Sequence, residues 1–173
     1  MIRGFIAGII ATILIVLVAG YLLLQSGFIP ANADAKPGGL ELWAAGTSLD
    51  ATLRKQAPNV ANPITLTDAN LIRGISLYGK HCAVCHGTAS GAALASPIAK
   101  GLYPAPPQFA DEGVEDDAEG VSYWKIKHGI RLTGMPAWGR TMDDQQIWTL
   151  ALVLKHMDKL PPAAHQAWSQ VKN

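Results

Sequence analysis

The feature that most constrains this chain is an uncharged run of 21 residues at positions 4–24. A helix rises about 1.5 Å per residue, so the run spans about 30 Å, the thickness of the hydrocarbon core of a bilayer. Residues 1–25 are therefore predicted to form one membrane-crossing anchor. The alternative is a signal peptide cleaved at Ala33, in the small-x-small sequence Ala31-Asn32-Ala33. The apolar part of a signal is shorter, at about 7–15 residues, which favours the anchor.

The charges around this run predict its orientation. Arg3 precedes the run, and the next charged residue is Asp34. The positive-inside rule then places the N-terminus in the cytoplasm. We expect a single-pass protein of the cell inner membrane, with its C-terminal part in the periplasm or outside. Gly4 and Gly8 have the spacing that lets membrane helices pack closely, which makes other membrane subunits candidate partners.

The overall charge excludes one class of partner. The chain has 14 Lys and Arg residues and 13 Asp and Glu residues, and without Arg3 the balance is 13 against 13. Binding to nucleic acid depends on a basic face that displaces counterions from phosphates. We therefore expect no nucleic-acid partner.

Residues 26–65 are predicted to form a linker with a short helix. Positions 26–39 are rich in Pro, Gly, Ala and Asn, which favours a linker. Positions 40–56 allow a helical pattern, with Ser48 as a plausible cap for a helix over 49–56.

Residues 66–173 are predicted to form an all-α domain. Thr67 can cap a helix whose apolar stripe ends at Cys82; the stripe consists of Leu71, Gly74, Ile75 and Tyr78. Positions 87–111 are broken by four prolines and indicate a wrapping loop. Further helices are predicted over 117–128, closed by Gly129, and over 143–157, with Thr141 and Asp144 as a capping box. No strand pattern stands out.

Cys82, Cys85 and His86 form a Cys-x-x-Cys-His motif, which is typical of covalently attached haem c. The spacing has a chemical reason, because one short turn presents both thiols to the two vinyl groups of the porphyrin. The following residue presents an imidazole to the iron. The alternatives are a thioredoxin-type redox pair, a zinc site and a structural disulfide. A thioredoxin-type pair would need a surrounding βαβ pattern, and a zinc site would need a second pair of ligands. A structural disulfide would leave His86 without a role.

Other segments extend this pattern over about residues 66–160. They are Gly74 and Tyr78 before the motif, Gly87 after it, the segment Gly134-Met135-Pro136-Ala137-Trp138, and Ile147, Trp148 and Leu152 in the last predicted helix. Together these segments resemble a class I mono-haem c-type cytochrome. The chain is particularly similar to c-type cytochrome subunits of bacterial respiratory and periplasmic redox complexes.

The resemblance implies one haem c packed among helices, with His86 below the iron and Met135 above it. A thioether is a soft, uncharged ligand that raises the reduction potential. His128 is the alternative to Met135, although its place at a helix end also suits the exposed carbonyls there, and an open site is the third option. Arg131 and Trp138 flank Met135 and are candidates to hydrogen-bond a haem propionate.

Two further histidine questions follow from the same pattern. His81 is expected to lie at the surface. In class I cytochromes a proline carbonyl accepts the second ring N–H of the proximal histidine. Four loop prolines leave that choice open here, namely Pro97, Pro104, Pro106 and Pro107.

The expected function is one-electron transfer by a membrane-tethered cytochrome c, as a subunit or local shuttle of a respiratory redox chain. Its partners are then the membrane and redox proteins, with donor and acceptor unidentified. We expect no enzymatic activity of its own. The alternatives are a haem enzyme or a gas or peroxide sensor with a labile distal ligand, and an assembly subunit that keeps haem for structure.

Overall fold

The computed structural model describes residues 2–91 and 96–172, which separate into two compact units on either side of residue 35. Every regular element in these residues is helical, so the all-α prediction is confirmed. The first unit holds α1, Ile2–Gln25, whose length and composition suffice to cross a membrane. Cleavage at Ala33 stays a prediction, because a signal sequence near the N-terminus has the same character.

The second unit contains eight α-helices among its described residues. They are α2 (Gly39–Gln56), α3 (Asp68–His81), α4 (Ala83–His86), α5 (Pro97–Gly101), α6 (Phe109–Glu112), α7 (Glu119–His128), α8 (Asp144–Lys155) and α9 (Pro162–Ser169). Two 3₁₀ turns, Trp138–Arg140 and Met157–Lys159, flank α8. The core lies where α3, α7, α8 and α9 meet.

Helix α3 forms as predicted. The Thr67 hydroxyl accepts the Asn70 N–H at 3.2 Å, and the predicted apolar stripe is buried. Gly74 lies against α8, where an added Cβ would come within 2.4 Å of Val153 Cγ2 and 2.8 Å of Thr149 O. This position therefore requires glycine.

Two aromatic pairs in the core join different pairs of helices. Tyr78 packs edge-on against Trp168, with ring centroids 5.1 Å apart. Trp148 stacks instead on Tyr123 at 4.2 Å. The Trp148 indole therefore lies on the side of α8 that faces α7.

Helix α8 is capped two residues later than predicted. The Asp143 carboxylate accepts the Gln146 N–H at 2.8 Å, and the Gln146 side-chain oxygen accepts the Asp143 N–H at 3.0 Å. The capping box with Thr141 and Asp144 is wrong. Residues 147–154 are all buried, because α3 and α7 pack against α8 on different sides.

Helix α9 is not predicted from the sequence. Pro161 and Pro162 suggest an end to helical structure, but Pro162 occupies the first turn of α9, where its missing N–H costs nothing. Ala164 and Trp168 are buried and hold α9 on the core.

Helix α2 is longer than the short helix expected. It begins at Gly39, so Ser48 lies inside it and the predicted Ser48 cap is wrong. The chain after α2 lies against α7 and α8. Pro58 O occupies the space where a Gly120 Cβ would be, and the Asn62 amide donates to Glu119 Oε1 at 2.9 Å and Trp148 O at 3.1 Å. The division into a linker over 26–65 and a domain over 66–173 stays a proposal.

Candidate haem site

A cavity of about 390 Å³ lies among α4, α6, α7, the proline loop over 102–107 and the loop over 130–138. Its volume is within the range of about 300–1,000 Å³ typical of ligand sites. Cys85, His86 and Met135 all line it, so the structure brings the motif and the predicted distal ligand to one cavity. The remaining lining residues are largely apolar.

The motif forms a single turn of helix directly after α3. The Cys82 N–H donates to Tyr78 O at 2.8 Å and ends α3, while the His86 N–H donates to Cys82 O at 2.9 Å. Both cysteines are half-buried. Burial, with a smaller contribution from Cys85, raises the pKa of the Cys82 thiol to about 12. A thiol this hard to ionise is unlike the low-pKa thiolate of a redox Cys-x-x-Cys pair.

The His86 ring is held on two sides. Its Nδ1 atom lies 3.0 Å from Pro107 O, and its plane stacks on Phe109 at 4.3 Å, with 10° between the rings. The structure thus selects Pro107 among the four loop prolines. A ring whose Nδ1 donates to a carbonyl leaves Nε2 free as a metal ligand. Burial lowers the pKa of His86 against the opposing effect of the Pro107 hydrogen bond, so the neutral, ligating form is favoured.

The backbone at Met135 is fixed at both its N–H and its carbonyl. The Met135 N–H donates to Thr133 Oγ1 at 3.1 Å, and Met135 O accepts the Ile130 N–H at 3.3 Å. Gly129, with φ +65°, closes α7 and lies so near that an added Cβ would come within 2.7 Å of Met135 O. The end of α7 therefore restrains the loop that carries the thioether.

Gly134 brings this loop against the proline loop. An added Cβ at Gly134 would come within 2.6 Å of Leu102 Cδ2, and Leu102 also lines the cavity. The loop that carries Met135 and the loop that carries Pro107 therefore touch at the cavity.

Residues 69–152 match the family model described as cytochrome c oxidase, cbb3-type, subunit III. The chain therefore contains a c-type cytochrome domain. No sequence among the curated proteins matches it significantly. The haem c that this family carries fits the donors at the cavity, which are the Cys85 thiol, the His86 imidazole with Nε2 free, and the Met135 thioether on a largely apolar lining. Cys82 lies on the same helical turn as His86 but is not among the residues that line the cavity.

Zinc is the poorer fit for this cytochrome. A structural zinc site needs four ligands, usually cysteine and histidine. Among residues 2–91 and 96–172 there is no group of three or more His, Cys, Asp or Glu side chains placed to hold a metal ion.

The other predicted site residues of the cytochrome divide into two groups. Trp138 is half-buried and lines the cavity. Arg131 and His128 are both exposed, and the His128 ring contacts the Trp124 ring. Neither Arg131 nor His128 is among the residues that line the cavity. Haem ligation by Met135 and propionate contacts from Arg131 and Trp138 stay predictions.

His81 corrects the expectation of a surface histidine. It is half-buried, lines the cavity and meets the Trp138 ring edge-on at 5.3 Å. Its position in the last turn of α3, directly before Cys82, is the signal that would have placed it beside the motif.

Gln108 is a site residue that the sequence does not reveal. Its buried amide donates to Cys85 O at 2.8 Å and to Pro106 O at 3.0 Å, and so links the motif to the proline loop. Gly87, with φ +81°, makes room for the same side chain, since an added Cβ would come within 2.6 Å of Gln108 Oε1. The Tyr78 hydroxyl of α3 donates to Gly87 O at 2.9 Å and so links α3 to the residue that follows the motif.

Proposed function

We propose that this cytochrome transfers single electrons at a membrane, with one haem c attached through Cys82 and Cys85 and its iron held by His86 and Met135. The observation that carries the proposal is that His86 and Met135 line the same cavity, with the His86 ring and the Met135 backbone each held by a hydrogen bond. Haem supplies the iron that accepts and releases the electron.

His86 contributes a fixed imidazole. The Pro107 carbonyl sets its tautomer and Phe109 sets its plane, so Nε2 needs no reorientation to serve as a ligand. A hydrogen bond to Nδ1 also raises the basicity of the ligand.

Met135 contributes a soft ligand on a loop that resists displacement. A His/Met pair favours Fe(II) and a higher reduction potential than a bis-histidine pair. A filled distal position leaves no place for a substrate, which supports electron transfer over catalysis.

Trp138 and Arg131 are proposed to position the haem. Trp138 lines the cavity and carries an indole N–H that can donate to a propionate. Arg131 lies four residues before Met135, is exposed, and carries a guanidinium that would donate to a propionate.

The matched family suggests the setting. The family is that of subunit III of cbb3-type cytochrome c oxidase, so redox proteins of a respiratory membrane complex are the proposed partners. Helix α1 is proposed to anchor the chain in the inner membrane, with the second unit on the periplasmic side.

The test is spectroscopic. The full chain is expressed in a host that attaches haem c, and oxidised and reduced spectra are recorded with and without CO. We expect low-spin spectra, no CO uptake, and a Met-to-iron charge-transfer band lost in Met135→Ala. The band should persist in the matched variant His128→Ala. A high-spin or CO-binding wild type would overturn the proposal in favour of a haem enzyme or sensor.

A further inference from the structure

The first turns of α2 carry a cluster of large apolar side chains that the fold leaves exposed. Leu40, Leu42 and Trp43 are 76%, 55% and 67% exposed. In the C-terminal half of the same helix, Leu49 and Leu53 are half-buried. One end of α2 thus packs on the second unit, while the other end presents its apolar surface to the surroundings. We refer to Leu40, Leu42 and Trp43 as the α2 patch.

The patch lies close in sequence to the proposed membrane anchor. Only 13 residues, positions 26–38, separate the end of α1 from the start of α2. A flexible segment of that length has a root-mean-square span of about 20 Å and a limit of about 45 Å. Phe28 and Ile29 in this segment are also exposed, at 82% and 49%. Apolar residues therefore continue from α1 towards the patch.

The chemistry of the patch suits a lipid interface. Tryptophan is enriched where a membrane meets water, because its ring is apolar and its N–H is polar. Over residues 39–48 the only charged residue is Glu41. The Tyr103 hydroxyl donates to Glu41 Oε1, and this bond raises the pKa of Tyr103. A patch this poor in charge has no need of acidic lipid.

We propose that the α2 patch inserts into the interfacial region of the membrane in which α1 is anchored. The inference rests on the anchoring part of the proposed function. Tyr103 lies between Leu102 and Pro104, which both line the haem cavity, so its bond to Glu41 ties the inserted turn of α2 to the cavity wall. Insertion would thereby limit the orientations in which the haem site can meet its partners.

The test measures lipid contact along α2 in the full-length holoprotein reconstituted in phosphatidylcholine vesicles. Thr47 is exposed and lies one turn beyond Trp43 on the same face; Gln56 is exposed at the other end of the helix. A fluorophore is attached to Thr47→Cys or, as the matched control, to Gln56→Cys. Quenching by a nitroxide carried on the lipid is compared with quenching by aqueous iodide.

We expect the label at position 47 to be quenched by the lipid nitroxide and shielded from iodide, and the label at 56 to show the reverse. The pair Leu40→Ser and Trp43→Ser should abolish lipid quenching at 47. The pair Val60→Ser and Leu66→Ser, which removes two exposed apolar side chains elsewhere, should preserve it. Because the patch is nearly uncharged, added salt should not weaken the lipid contact.

Vesicle flotation separates the two proposals. If the protein floats with the vesicles and the label at 47 is as accessible to iodide as the label at 56, the anchor stands and the insertion of α2 is overturned. If the protein does not float, the anchor and the insertion both fall. An unchanged haem spectrum in each variant shows that the fold is intact.

Discussion

The buried amide of Gln108 donates a hydrogen bond to the main-chain carbonyl of Cys85 at 2.8 Å. The same amide nitrogen donates to Pro106 O at 3.0 Å. One side chain therefore joins the turn that carries the motif to the loop that supplies the Pro107 carbonyl to His86. The position of the His86 imidazole depends on this link as well as on the motif itself.

Replacing Gln108 with alanine should destabilise the holoprotein by about 1–3 kcal/mol, because two carbonyls lose a buried donor. The measurement is chemical denaturation followed by helical circular dichroism. The control is Gln166→Ala, an exposed glutamine on α9, which should change stability by less than about 0.5 kcal/mol. Equal effects of the two variants would contradict the proposed link.

Gly74→Ala should destabilise the protein by about 1–3 kcal/mol, because the new methyl group has no space between Val153 and Thr149 of α8. Gly79→Ala on the same helix is the matched control. Its added Cβ would meet Val171 at 3.4 Å, an ordinary contact, and alanine favours a helix over glycine by about 1 kcal/mol. Denaturation midpoints should therefore fall for position 74 and hold or rise for position 79. A loss of stability in Gly79→Ala as large as in Gly74→Ala would argue against a specific close contact between α3 and α8 at Gly74.

Gly129→Ala should weaken the Met-to-iron band as well as the fold. The added Cβ would collide with Met135 O and the backbone of Pro136, so the loop that carries the thioether must shift. Gly27→Ala is the control, since Gly27 also has positive φ, at +69°, but nothing lies within 4 Å of its added Cβ. Both variants carry a backbone cost of about 1 kcal/mol. Only the change at 129 should alter the spectrum, and a changed band in Gly27→Ala would contradict this account.

Removing both attachment points should prevent cooperative folding of the second unit. In a protein with Cys82→Ala and Cys85→Ala, the apolar surfaces of α4, α6 and the proline loop have no porphyrin to pack on, and both helices span only four residues. Helices this short are not stable alone. Thermal melting by circular dichroism should show no cooperative transition, against a sharp one for the holoprotein. A cooperative helical melt of the double variant would overturn the prediction.

Local sequence was sufficient to predict α3 and the motif. The Thr67 cap, the apolar stripe and Gly129 at the end of α7 depend on residues within a few positions of one another. The errors occurred where a local signal has two meanings. Thr141 and Asp143 both lie at suitable places to cap α8, and only the observed hydrogen bonds select Asp143.

The same contrast applies to α9. In the sequence, Pro161 and Pro162 indicate the end of a helix, but proline is also favoured in the first turn of a helix. The burial of Trp168 against Tyr78, 90 positions earlier in the chain, favours that second outcome. No pattern within the last 15 residues contains this information.

The sequence by itself determined where the chemistry of this cytochrome lies, because both thiols and the imidazole of the haem motif fall within five residues and need only one helical turn to be placed. It also determined the apolar length of α1 and the helical class of the domain, since both follow from residue type and period. The tertiary structure alone decided that Pro107 holds His86, that Gln108 ties the motif to the proline loop, that His81 and Trp138 meet at the cavity, and that the α2 patch is left exposed. These contacts join residues 21 to 57 positions apart or depend on which surfaces the core covers, so they are set by the packing of whole helices, which no local pattern encodes.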